Sequence, residues 1–172
     1  GGYIARQLKR WTGQYSETGI RDIEAMSFLM DWLPQNVPDT EETAIAHGDY
    51  RLENLVFHAT EPRIIGILDW ELATLGEPLA DLAYNCMVYR LSLPTQPGFD
   101  GRVPEGIPGE ADYVEAYRRR TGRRVGDRDW RFYMAFSMFR LAAISAGIYM
   151  RGKVGSASSD NADQFLDHTR TI

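Results

Sequence analysis

The sequence predicts an α+β fold that is mainly helical and contains one small β-hairpin. Six stretches have the pattern of helices, whereas two short apolar runs separated by four residues of turn composition have the pattern of paired strands. The chain has 172 residues, of which 44% are hydrophobic, and this is enough to fill a core. We therefore expect a single domain over residues 1–172.

The first two helices are predicted at the start of the chain. Ile4, Leu8 and Trp11 are spaced so that they lie on one helical face. A second amphipathic segment covers residues 23–33 and is expected to stop near Pro34, because proline cannot continue a helix in the usual way. A polar linker follows.

Short apolar runs then replace the helical pattern. Ala44–Ala46 is the first of them, and two strand-like runs follow at residues 55–58 and 63–68. The residues between these two runs, 59–62, have the length and composition of a hairpin turn. The two runs should therefore pair with each other.

Four further helices are predicted in the rest of the chain. The first begins near Gly76, with Pro78 at an early helical position where proline is tolerated. An irregular insert at residues 93–109 contains four of the eight prolines. The remaining helices are expected at residues 110–121, where Gly122 ends the helix, at 128–150 and at 160–171.

Charge and composition exclude several classes of function. The net charge is −5, which gives no electrostatic reason to bind nucleic acid or an anionic membrane. The arginines of residues 118–124 form the one strongly basic patch, and binding of nucleic acid or phosphate is one interpretation of it. The favoured interpretation is that the macrodipole attracts these cations to a helix end. Cys86 is the single cysteine, so an intrachain disulfide is excluded. No apolar run approaches the roughly 20 residues that cross a bilayer. We expect a cytoplasmic protein without nucleic-acid or membrane partners.

The segment from His47 to Asn54 carries the strongest functional signal. It has the spacing H-x-D-x-x-x-x-N of a kinase catalytic loop. Phosphoryl transfer needs one carboxylate that accepts the proton of the attacking hydroxyl, and Asp49 occupies that position. Asn54 offers an amide oxygen, which is a suitable ligand for Mg²⁺.

A second metal-binding carboxylate is predicted at Asp69. It ends the second strand-like run and is followed by Trp70 and Glu71, so it stands where kinases have the Asp of the D-F-G signature. A hairpin returns the chain to its start, and it would bring Asp69 close to Asn54. Turn formation and helix capping are the alternative roles for these polar residues.

Two segments, HGDYRLENLVFH and IIGILDWELATLGEPLADLAY, resemble the aminoglycoside phosphotransferase family, and especially the kinase-like proteins related to the amino-terminal part of certain acyl-CoA dehydrogenases. The resemblance implies the C-terminal lobe of a protein-kinase-like fold, whose hairpin carries the catalytic and metal motifs. It also implies Asp49 as the catalytic base, Asn54 and Asp69 as ligands of Mg²⁺ and ATP, and a supporting role for His47. Asp81 matches the Asp of the family's G-x-P-x-x-D-L-A pattern and should brace the loop by hydrogen bonds.

The chain also departs from a complete member of that family. The amino-terminal lobe that grips the nucleotide would carry a lysine on a strand, but the two lysines here, Lys9 and Lys153, lack a strand-like context. We therefore expect an ATP-dependent phosphotransferase that acts on a small-molecule hydroxyl, and expect this lobe to be inactive or weak by itself. The surface left by the missing lobe could support a dimer. A non-catalytic binding module and a metal-dependent hydrolase are the alternatives.

Two side chains near the loop leave their roles open. Arg51 could meet a phosphate or another anion, and it could equally pair with Glu53. Trp70 is expected to pack in the core, since it is the only aromatic residue in its run. The acceptor pocket is expected among the helices after Gly76, with the insert at 93–109 as a further wall. Few carboxylates occur in that insert, which favours a metabolic acceptor over a polycationic antibiotic.

Overall fold

The computed structural model describes residues 2–39, 42–154 and 162–172, and it has the mainly helical α+β fold that the sequence predicts. These residues divide into two compact units. The helical unit contains residues 2–39 together with 135–154 and 162–172, and the sheet unit contains residues 42–134. The prediction of a single domain stays a prediction. The predicted start of the last helix, at Asp160, lies outside the described residues.

The helical unit is built from helices that bury one apolar face. They are α1 (Tyr3–Glu17), α2 (Glu24–Gln35), most of α5 (Asp127–Lys153) and α6 (Ala162–Thr171). The predicted face of α1 is buried, because Ile4, Leu8 and Trp11 are at most 6% exposed. Pro34 lies in the last turn of α2, one residue before the helix ends.

The sheet unit combines two small antiparallel sheets with two helices. Its elements are β1 (Ala44–Ala46), β2 (Leu55–Phe57), β3 (Ile64–Ile67), β4 (Thr74–Gly76), α3 (Pro78–Cys86) and α4 (Glu110–Thr121). The predicted hairpin is confirmed, since β2 pairs with β3 and Leu55 lies opposite Ile67. The sequence pattern did not reveal β4, which pairs with β1 so that Ala44 lies opposite Gly76.

The ends of α3 and α4 follow the sequence signals. Pro78 occupies an early position of α3, as expected. Gly122 ends α4 in the left-handed conformation, with φ 71°, which glycine adopts without steric cost. The arginines of the last turn of α4, residues 118–120, lie at its negative end.

The longest helix, α5, combines length with high hydropathy. Within the described residues it is the one helix that could cross a membrane by length and composition, with a mean hydropathy of 1.3 over its most apolar window. However, 72% of that window is buried, which is also typical of the central helix of a soluble protein. The helix is therefore weak support for a membrane span.

Candidate active site

The predicted catalytic loop connects β1 to β2 and begins with a glycine that the fold requires. Gly48 has φ +85°, a conformation that other residues rarely adopt. A Cβ atom at this position would lie 2.7 Å from the backbone oxygen of Leu72. The loop and the segment after β3 therefore approach each other more closely than any side chain at residue 48 would allow.

Asp81 holds the start of the loop through the backbone. Its Oδ2 accepts a hydrogen bond from the N–H of His47, and its Oδ1 accepts one from the N–H of Gly48 at 2.9 Å. Asp81 belongs to the first turn of α3, so the loop is fixed to a helix and not only to its neighbouring strand. This is the bracing that the family resemblance implies for Asp81.

The buried imidazole of His47 connects the loop to the end of β3. Its Nε2 lies 2.8 Å from the backbone oxygen of Leu68, and its Nδ1 accepts a hydrogen bond of 3.3 Å from the N–H of Asp49. A carbonyl oxygen can only accept, so the ring proton belongs on Nε2. The ring therefore holds Asp49 and the residue before Asp69 at the same time.

The side chain of Asn54 is oriented by Asp49. Its Nδ2 donates to the backbone oxygen of Asp49 at 2.9 Å and to the carboxylate Oδ2 of the same residue at 3.0 Å. Both of these hydrogen bonds use the amide nitrogen, which leaves the amide oxygen to bind a cation. Asp49 and Asn54 are thus brought together as the spacing predicts.

The hairpin brings the residue before Asp69 to Asn54. The N–H of Leu68 donates to the backbone oxygen of Asn54 at 2.8 Å, which extends the β2–β3 pairing by one step. Asp69 is exposed and has φ 60° and ψ 60°, a left-handed conformation that Asp tolerates better than most residues. Left-handed residues of this kind cluster at functional sites, so its conformation agrees with a functional role.

The donor set suits Mg²⁺ better than a tightly ligated transition metal. The two predicted ligands, Asn54 and Asp69, supply oxygen atoms only. Among the described residues there is no group of three or more His, Cys, Asp or Glu side chains that could hold a metal. Mg²⁺ fits such a site because it usually takes one or two carboxylates and completes its shell with water and substrate phosphates. A hydrolase built on a cluster of such side chains gains no support from this part of the chain.

Arg51 pairs with Glu53. Its Nε and Nη2 donate to the two carboxylate oxygens at 2.9 and 2.8 Å. The hydrogen bonds to Glu53 raise the pKa of Arg51, and the same bonds lower the pKa of Glu53. Of the two roles that the sequence left open, the structure shows the ion pair, and contact with a phosphate stays a prediction.

The expected core position of Trp70 is wrong. Trp70 is 48% exposed, its indole N–H donates to the backbone oxygen of Ile67, and its ring lies 4.7 Å from the ring of His47. It follows the hairpin in a short 3-10 turn, where the described residues of the sheet unit do not cover it. One face of Trp70 therefore supports His47, while much of the rest remains exposed.

A cavity of about 360 Å³ opens beside the catalytic loop. His47 and Tyr50, which stand before and after Asp49 in the sequence, line it together with residues of α3 and α4. The residues from the two helices are Pro78, Asp81 and Leu82 of α3 and Tyr113 and Tyr117 of α4, and the lining is completed by Ala44, Ile45, Ile67, Trp70 and Arg123. The predicted wall from the insert at residues 93–109 is absent from this described lining. Burial raises the pKa of Tyr113 to about 12, so this phenol is neutral.

Sequence reasoning did not connect the aromatic side or the basic group of this cavity with the loop. Tyr113, Tyr117 and Arg123 lie about sixty or more positions after the catalytic loop in the sequence and share no motif with it. Arg123 donates from Nε to the carboxylate of Glu42 at 2.7 Å. Only the folded chain shows that these residues face the loop.

Comparison with known proteins points to one family. A model of the phosphotransferase enzyme family matches residues 1–136. The chain is 46% identical over 168 residues to acyl-CoA dehydrogenase family member 10 of Mus musculus and 40% identical over 168 residues to family member 11 of Homo sapiens. These alignments cover 95% and 96% of the chain, but only 16% and 21% of the two relatives.

Solved structures that resemble this chain are also described as phosphotransferases. A protein from Ralstonia eutropha JMP134, provisionally assigned as an aminoglycoside phosphotransferase, superimposes with a TM-score of 0.87 at 47% identity. The match covers 99% of this chain and 53% of that one. An aminoglycoside-3'-phosphotransferase of type VIII, with a TM-score of 0.57 and 18% identity over 79% of this chain and 50% of its own, shares the fold. The chain thus spans about half of these solved structures and about a fifth of the dehydrogenase relatives.

Proposed function

This chain belongs to the phosphotransferase enzyme family, and we propose on that premise that the protein containing it transfers a phosphoryl group from Mg·ATP to a hydroxyl group of a small molecule. The observation that carries the proposal is the connection between Asp49, Asn54 and the residue before Asp69. Asn54 binds Asp49 through its side-chain nitrogen and Leu68 through its backbone oxygen. These hydrogen bonds join the predicted base to one predicted metal ligand and to the residue before the other, which supports the proposal of a kinase-like site.

Each polar side chain has a defined role in this reaction. Asp49 accepts the proton of the acceptor hydroxyl, whose oxygen forms a new bond to the γ-phosphorus while the bond to the β-phosphate oxygen breaks and ADP leaves. Asn54 and Asp69 would hold Mg²⁺, which neutralises charge on the phosphates. His47 and Asp81 hold the backbone on which Asp49 lies.

The cavity beside the loop supports an uncharged or anionic acceptor. Asp81 is the acidic residue among its described lining, and both of its carboxylate oxygens already accept backbone hydrogen bonds. Arg123 adds a positive charge, although Glu42 offsets part of it. A polycationic antibiotic would need several available carboxylates, so we expect it to be a poor acceptor.

The proposal is tested with the longer protein that contains this chain. Asp49→Asn should lower phosphoryl transfer by about 10²–10⁴-fold, the usual contribution of a general base. The dissociation constant for Mg·ATP, measured by calorimetry, should change little. As a matched control, Glu61→Gln removes an exposed carboxylate in the hairpin turn and should retain wild-type turnover.

Two results would contradict the proposed function. If the unmodified longer protein fails to bind Mg·ATP, the assignment as a phosphotransferase is wrong. If the protein binds Mg·ATP but Asp49→Asn leaves all measured transfer unchanged, Asp49 is not the base, and a non-catalytic binding module becomes the better description.

A further inference from the structure

Glu77 is an unusual residue for the position it occupies. It is the N-cap of α3 and only 2% exposed. Helix N-caps favour Asn, Asp, Ser and Thr, whose short side chains reach the first free N–H groups of the helix. Glutamate is one methylene longer than aspartate, and it suggests that a second group must be reached from the same position.

That second group is the backbone of Glu42. The Oε2 of Glu77 accepts a hydrogen bond of 2.7 Å from the N–H of Glu42, whereas its Oε1 accepts a longer one of 3.3 Å from the N–H of Leu79. The shorter bond therefore does not cap the helix. It ties the helix to the segment that enters β1.

Together with the bonds from Asp81, this contact forms a set of hydrogen bonds, here called the frame, that holds both ends of the strand leading into the catalytic loop. Asp81 holds the far end of that strand through His47 and Gly48, and Glu77 holds the near end through Glu42. Between them, β1 pairs with β4, the strand that runs directly into Glu77. Both ends of residues 42–48 are thus attached to the beginning of α3.

Glu42 also connects this frame to the cavity. Its N–H binds Glu77, and its own carboxylate binds the guanidinium of Arg123, which lines the cavity. A shift of Glu42 would therefore move the positive charge of the cavity as well as the start of β1.

From this geometry we infer that Glu77 is a positioning residue for phosphoryl transfer, which sets the place of the catalytic loop and of Arg123 through Glu42. The inference rests on the proposed function for its effect on turnover. Glu77 acts through its hydrogen bonds to the backbone, and not by contact with substrate or metal.

Two substitutions separate positioning from simple helix capping. Glu77→Asp keeps the charge and caps α3 well, but it is too short to reach Glu42 as well. Glu77→Gln keeps the length and can turn its amide oxygen to Glu42, while its NH₂ group faces Leu79 and weakens the cap. Positioning predicts that the Gln variant is the more active of the two, and capping predicts the opposite order.

In the longer protein, Glu77→Asp should lower kcat by about 10–100-fold, since small displacements of reacting groups have effects of this size. The KM for the acceptor should rise because Arg123 moves, while the KM for Mg·ATP stays near its wild-type value. Glu24→Asp, an exposed change in the first turn of α2, is the matched control and should leave both constants unchanged. Wild-type kcat in Glu77→Asp would overturn the inference.

A second measurement does not depend on catalysis, so the failure of the proposed function would not hide the result. Amide hydrogen exchange in the longer protein should become faster at Glu42 and Gly48 in Glu77→Asp, and stay unchanged at Leu79. Unchanged exchange at Glu42 and Gly48 would show that Glu77 does not hold the loop, whether or not the protein transfers phosphate.

Discussion

The helical unit buries many large apolar side chains, whereas the segment that carries the predicted site leaves most of its own exposed. Ile4, Leu33 and Phe139 of the helical unit are at most 1% exposed. Residues 52–75 of the sheet unit, here called the hairpin segment, instead expose most of their large apolar side chains. These are Leu52, Phe57, Ile64, Ile65, Ile67, Leu68, Trp70, Leu72 and Leu75, each between 36% and 66% exposed.

The difference shows that two kinds of interaction organise the chain. Burial of apolar surface stabilises the helical unit. The catalytic loop and the hairpin segment are held mainly by strand pairing and by hydrogen bonds to Asp81, Glu77 and His47. Exposed apolar side chains become a reason to expect an interaction surface where they form a contiguous patch. The dimer expected from the sequence stays a prediction, and light scattering at several concentrations would test it.

Truncation of a buried side chain should have the largest effect on stability. Phe139→Ala removes a fully buried ring and should lower the free energy of unfolding by about 3–5 kcal/mol. Leu75→Ala, in the hairpin segment, removes a side chain that is 65% exposed and should change it by at most about 0.5 kcal/mol. Urea denaturation measures both. Equal losses would mean that Leu75 is covered in solution and that the comparison between the two regions is wrong.

Replacing a glycine by alanine should change the stability in opposite directions in the two regions. Gly48→Ala places a Cβ against the backbone at Leu72 and forces a positive φ on alanine, so it should destabilise the protein by about 1–3 kcal/mol. Gly13→Ala lies on an exposed position of α1 with no atom within 4 Å of the new Cβ, and it should stabilise by about 0.4–1 kcal/mol. Thermal unfolding gives the signs. A stabilising Gly48→Ala would show that the loop relaxes away from Leu72.

The sequence predicts most of the elements because their signals are local. The hairpin follows from two apolar runs and a turn, and the neighbourhood of Asp49, Asn54 and Asp69 follows from the hairpin. Gly122 and Pro78 likewise mark helix ends through their own backbone preferences. Each of these inferences needs only a few consecutive residues.

What the sequence does not predict depends on contacts between distant residues. The pairing of β4 with β1 and the bond between Glu77 and Glu42 join positions about thirty or more residues apart. The prediction that Trp70 lies in the core was wrong for a related reason. An apolar run shows that a side chain favours burial, but it does not show that other residues are present to cover it. Arg123 belongs to a basic run in the sequence, but nothing in that run indicates that its side chain lines this cavity.

The two regions should also differ, by a smaller amount, in how much their free energy of unfolding depends on pH. Burial acts to raise the pKa of Glu110 in the sheet unit, but the hydrogen bonds from Arg90 and Trp130 outweigh it and hold this pKa below its usual value. Glu110 therefore binds a proton more readily in the unfolded chain than in the folded one. Its contribution to the free energy of unfolding is fully present above the pKa of the unfolded state, and it is lost as the pH falls through the pKa of the folded state. Glu110→Gln should therefore destabilise at pH 7 by about 0.2–1 kcal/mol, as for a partly exposed pair, and by less at pH 3.

The ion pair between Asp22 and Arg170 in the helical unit supplies the matched control. The hydrogen bond from Arg170 lowers the pKa of Asp22, but this carboxylate is exposed and lacks a second donor such as Trp130 among the described side chains. Asp22→Asn should therefore change the pH dependence less than Glu110→Gln does, and Trp130→Phe, which removes one of the donors to Glu110, should fall between them. Urea titrations at pH 3 and pH 7 measure all three. If the loss in Glu110→Gln is the same at both pH values, the charge of Glu110 does not contribute to the stability of the sheet unit, and its contacts act through packing alone.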